Sequence, residues 1–149
     1  MSVSMVYRST KLFDGYSTCF RQWRATNSHC QYLHGYSLEF KVIFEGTLDT
    51  RNWVMDFGAF KHNGVKKYLS SMFDHTLIVA EDDPCLDMFK EFHKFNLVQL
   101  RILKDVGCEK FAELVYKYLT DILKRDPRVW VHSVECIENK KNSAYYAEK

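Results

Sequence analysis

The chain has 149 residues, enough for one domain over 1–149 with a sizeable core. Hydrophobic residues make up 46% and charged residues 27%, with a net charge of +2, so neither a disordered acidic or basic chain nor the basic stripe of a nucleic-acid binder is present. No apolar run is long enough to span a bilayer, and Met1 to Met5 lacks a charged-then-apolar signal pattern, which leads to the expectation of a cytoplasmic protein with no membrane partner.

In chain order, Tyr7 to Arg24 mixes aromatic and hydroxyl residues around the turn signal Asp14-Gly15, which predicts two short strands or one bent strand. Ala25 to His29 reads as a loop. Tyr36 to Glu45 is the clearest strand: Tyr36, Leu38, Phe40, Val42 and Phe44 alternate with polar residues, so one face is buried. Asp56 is the expected N-cap of a first helix carrying Phe57, Phe60, Leu69 and Met72, weakened by Gly64. A second helix follows from Phe111, Leu114, Val115, Tyr118, Leu119 and Ile122, stopped by Asp126-Pro127. Val129 to Glu138 is strand-like, and Asn142 to Tyr146 predicts a last short strand. This order predicts an α+β fold, an antiparallel sheet with two helices on one face. Its open strand edges favour oligomers.

Five cysteines, at irregular spacing and without a CxxC pair, favour reduced thiols over a disulfide framework or zinc ribbon. Cys30 and His34 stand just before the strongest strand, with Gly35 permitting close backbone approach. Cys30 reads either as a base or nucleophile or as a small buried hydrophobe; His34 reads either as a metal ligand or relay or as a hydrogen-bonded core histidine. Asp74-His75 offers a carboxylate beside an imidazole, against the alternative of a turn Asp and a surface His. Glu138, counted by twos, shares a face with Trp130, Val134 and Cys136. A carboxylate there can accept the paired N–H donors of an amino-pyrimidinone ring, as it accepts an Arg fork; the alternative is an edge glutamate facing water. His62, His93 and His132 read as surface or packing residues, and Glu81-Asp82-Asp83 as a solvated loop.

Taken together, Cys30-x-x-x-His34-Gly35, Trp53-Val54-Met55-Asp56-Phe57, Phe73-Asp74-His75 and Glu138 followed by Ala144-Tyr145 resemble the 6-pyruvoyl-/6-carboxytetrahydropterin synthase family over about 13–146. The resemblance implies the tunnelling fold, in which subunits join edge to edge into a barrel and two rings stack into a hexamer. It implies a pterin substrate, 7,8-dihydroneopterin triphosphate, with active sites between subunits. By position, Cys30 would be the proton acceptor, Asp74 with His75 the relay, and Glu138 the pterin anchor. The placement of Cys30 resembles the 6-carboxytetrahydropterin branch, a lyase that feeds deazapurine pathways such as queuosine. Family members with zinc use three histidines; here Phe20 and Tyr36 stand at two of those positions and only His34 is retained. Zinc is therefore a doubtful cofactor, unless Cys19, His29 or Cys30 is recruited, and strand alternation argues against Cys19 if Phe20 faces the site. A metal-independent paralogue or a non-catalytic pterin- or purine-binding protein are the alternative readings.

Overall fold

The computed structural model describes residues 5–149. Its strands are β1 (Tyr7–Phe20), β2 (His34–Gly46), β3 (Thr76–Ala80), β4 (Leu100–Leu103), β5 (Val129–Ile137) and β6 (Ser143–Tyr146). Its helices are α1 (Val65–Phe73), α2 (Leu86–Lys94) and α3 (Cys108–Leu123). The strands form one six-stranded sheet in the order β4-β3-β1-β2-β5-β6.

The sheet is mixed, where an antiparallel one was expected. β1, β2, β5 and β6 pair antiparallel, but β3 runs parallel to β1 and β4 parallel to β3. The cause is a β3-α2-β4 unit in the middle segment: parallel neighbours cannot be joined by a hairpin, so the chain crosses over through a helix. That helix, α2, also makes the helix count three rather than two. α1 and α3 pack on the core face as expected. α2 instead lies on the other face, where Phe89 meets Leu77 and Val79. All five residues of β3 are consequently buried, with Ile78 turned toward the main core.

β2 follows its alternation closely: Leu38, Phe40, Val42 and Phe44 are fully buried. They meet α1 and α3 through aromatic contacts, Phe40 with Phe73 at 4.7 Å and Phe73 with Phe111 at 5.3 Å between ring centroids. Burial of each such side chain contributes about 1.5–3 kcal/mol. β1 is one strand with an irregularity between Phe13 and Tyr16, where Gly15 takes a φ of 87°. The first predicted helix starts later than Asp56. Asp56 caps a short 3-10 turn, Phe57–Lys61, and Gly64 with φ 85° separates that turn from α1. At the far end of β2 the backbone of β5 comes so close that a Cβ on Gly46 would fall 2.9 Å from Val129 Cα and nearer still to Arg128 O. Arg128 then ties down the loop after β2 by donating to the carbonyls of Thr47, Trp53 and Val54.

A bulge corrects the reading of β5. Ile43 pairs with Ser133 and Phe44 with Val131, leaving His132 as an extra residue. Counting by twos therefore fails across it: Val134 and Cys136 face the core, but Trp130 lies outward and donates to Glu45.

Candidate active site

The end of β1, the start of β2, the β5–β6 turn and the first turn of α3 converge on a cavity of about 210 Å³. Phe20, Cys30, Tyr36, Cys108, Glu109 and Glu138 are among its walls. Antiparallel pairing sets Phe20 opposite His34 and Thr18 opposite Tyr36, so the rings of Phe20 and Tyr36 are diagonal neighbours on one face. They stack with centroids 4.1 Å apart and planes 14° from parallel. Phe20 is 3% exposed and meets Phe111 edge-on at 5.0 Å, which anchors the stack to α3. His34 is exposed and its ring meets that of Tyr36 in a T-shaped contact at 4.9 Å. Burial, then the charge of Glu138, push the Tyr36 phenol up to about 12, so it is protonated across the neutral range.

Cys30 is exposed on a 3-10 turn, His29–Gln31, that Ser28 caps by accepting from the Cys30 N–H at 3.1 Å. The Cys30 carbonyl accepts from Gln22 N at 2.7 Å, which fixes the turn against the exit of β1. Glu138 is the first residue past β5. Its N–H donates to Asn142 O at 3.1 Å, and Asn139 Oδ1 accepts from the N–H groups of Lys141 and Asn142. The half-buried carboxylate is thereby held at the cavity wall rather than on a free edge. Beneath it, the Cys108 thiol and burial push the Cys136 thiol up and keep it neutral.

Asp74 and His75 lie between α1 and β3 and are not among the residues lining this cavity. Asp74 Oδ1 accepts from Ser17 N at 3.0 Å, and Asp74 Oδ2 is 3.2 Å from His75 Nδ1. The Ser17 N–H, then His75, hold the Asp74 carboxyl below its ordinary range. His75 has a φ of 56°, a left-handed conformation that costs a non-glycine residue about 1 kcal/mol or more. It is held there by its N–H donating to Ser17 O at 2.6 Å and its carbonyl accepting from Gln99 Nε2 at 3.1 Å. Its imidazole projects into solvent, 78% exposed.

The donor set does not fit zinc. Among the described residues no group of three or more His, Cys, Asp or Glu side chains is placed to hold a metal ion. Cys19 packs with Leu77, Val79 and Phe89, on the face opposite Phe20. Glu109 and Cys108 are cavity residues that the sequence pattern did not single out; their only signal was a position just after Gly107 at the start of α3. The acidic run also differs from its expected role as a solvated loop. Asp82 pairs with Arg24 at the surface, but Asp83 is 5% exposed beneath a two-point contact with Arg21. Gly35 has open space around it: a Cβ at this position would meet no other group within 4 Å.

The segment Trp53 to Phe57 lines a different cavity of about 570 Å³, at the opposite end of β1. Among the described residues no helix is long and apolar enough to cross a membrane.

Residues 10–149 match the family described as 6-pyruvoyl tetrahydropterin synthase. A 6-carboxy-5,6,7,8-tetrahydropterin synthase of Rickettsia typhi is 45% identical over 56 residues, covering 36% of this chain and 39% of that protein. The chain thus matches well under half the length of that curated relative. Among solved structures, an uncharacterized protein from Wolinella succinogenes is similar with a TM-score of 0.84 and 22% identity, covering 98% of this chain and all of that one. The 6-pyruvoyl tetrahydropterin synthase of Caenorhabditis elegans aligns over the full length of both chains with a TM-score of 0.66 and 16% identity. The mixed sheet with its helices is thus the fold of these neighbours, and the chain belongs to the 6-pyruvoyl tetrahydropterin synthase family.

Proposed function

We propose that the chain is a pterin-transforming lyase of the 6-carboxytetrahydropterin synthase type, acting on 7,8-dihydroneopterin triphosphate or a related pterin in deazapurine biosynthesis of the queuosine kind. The observation that carries this reading is the meeting of Cys30 and Glu138 in one cavity. Glu138 accepts the two N–H donors of the amino-pyrimidinone edge, and Cys30 takes a proton from the substrate side chain. The cavity volume of about 210 Å³ is small beside the roughly 300–1,000 Å³ usual for a site that encloses its ligand. A second copy of the chain supplies the missing wall and brings the Asp74–His75 pair, in a homo-oligomer that the family resemblance makes a hexamer.

The test is turnover of dihydroneopterin triphosphate, followed by acetaldehyde release, in wild type and in Cys30→Ala. Turnover lost in the variant is expected; full activity in Cys30→Ala would remove this thiol from the mechanism. The Phe20–Tyr36 stack favours a second reading, a metal-independent paralogue with altered pterin chemistry or a pterin-binding protein without turnover. Under it, pterin binds and either a different product or no product appears, unaffected by chelator.

A further inference from the structure

Two carboxylates stand among the walls of the cavity. Glu109 and Glu138 offer only acceptors when ionised, so they suit the N–H groups of a ligand and repel its oxygens. Gln22 Nε2 is already donated to Val106 O at 3.0 Å, and Ser143 Oγ to Glu135 at 2.6 Å. Asn142 bonds into the turn beside Glu138 through its backbone, so its side-chain amide is one polar group left at the wall. Tyr118 Oη bonds to Gly64 O and Tyr146 Oη to Glu148, whereas Tyr36 Oη makes no hydrogen bond to protein among the described residues. Its ring is stacked on Phe20 at 4.1 Å and in edge-type contact with His34 at 4.9 Å, so little freedom remains to be lost when a ligand arrives.

Resting on the pterin reading above, we propose that Tyr36 is a substrate-contacting residue: its hydroxyl donates a hydrogen bond to a side-chain oxygen of the pterin whose ring Glu138 holds. The Phe20–Tyr36 stack then serves as a rigid floor where metal-binding relatives carry imidazoles. Selectivity follows for pterins with a hydroxylated side chain over pterins with a bare alkyl group at the same carbon.

The two ligands that separate this role from a structural one are neopterin, with a trihydroxypropyl side chain, and 6-methylpterin, with none. Both are titrated by fluorescence against wild type and Tyr36→Phe, a change that keeps the stacked ring. Loss of one hydrogen bond is expected to weaken neopterin about tenfold, while 6-methylpterin changes less than about twofold. Equal weakening of both, or no change for neopterin, would overturn the role of Tyr36 and leave the pterin site standing. Failure of the wild type to bind either pterin would instead overturn the pterin reading and the inference with it.

Discussion

The ring of Phe20 lies 4.1 Å from that of Tyr36, nearly parallel to it, at the point where β1 and β2 lead into the cavity. Neither side chain supplies an imidazole nitrogen, and His34 alone does not make up the three protein ligands of a catalytic zinc site. We expect purified wild type to carry well under one zinc per chain by elemental mass spectrometry. Phe20→His combined with Tyr36→His, which sets three imidazoles on adjoining strand positions, is expected to raise that content toward one. Stoichiometric zinc in the wild type, lost in His34→Ala, would show a rebuilt site and count against this expectation.

Arg21 and Asp83 form a second consequential pair. Asp83 is buried, which taken alone would raise its pKa, but two hydrogen bonds from Arg21 and one from the Cys85 N–H hold it below the ordinary carboxylate range. Removing the guanidinium leaves a buried carboxylate unpaired, so Arg21→Met is expected to cost about 3 kcal/mol, read as a lower denaturation midpoint. The sign of the pH effect follows from the depressed folded pKa. The stabilisation is complete above the unfolded value of about 3.9 and disappears as pH falls through the folded one. Denaturant titrations of wild type and Arg21→Met should therefore converge toward the acid end. Parallel curves at all pH values would contradict the pairing.

Phe89 anchors α2 in the smaller apolar cluster, against Leu77 and Val79. Phe89→Ala is expected to cost about 3–5 kcal/mol locally. Because the main core lies on the other face of the sheet, hydrogen exchange should quicken in α2, β3 and β4 first, leaving β2 and α3 protected. Uniform loss of protection would mean that the two clusters unfold as one.

These features were unevenly legible in the sequence. β2 and α3 were plain, because each has one wet and one dry face, and periods of two and of 3.6 record that difference. Gly64 is more than a weak point in a helix: its left-handed backbone separates the 3-10 turn from α1. β3 escaped notice because burial on both faces erases alternation: Thr76 to Ala80 is a continuous run with no period. α2 is only nine residues long and follows an acidic stretch that resembled a loop. Cys30 and Glu138 at the cavity, and Asp74-His75 away from it, stand out by residue type. Glu109 and Cys108 do not, since they reach the cavity only through the placement of α3 against the β5–β6 turn.

The extra residue at His132 also bears on how the chain tolerates changes in length. A bulge decouples the two halves of β5: Val129 and Val131 face the core before it, Val134 and Cys136 after it. Deleting His132 would restore simple alternation without turning either half over, whereas deleting Glu135 would invert everything downstream, Glu138 included. Drift in chain length among relatives is therefore expected to collect at 132, and the carboxylate at the cavity wall keeps its orientation only while the residues from 133 to 138 keep their number.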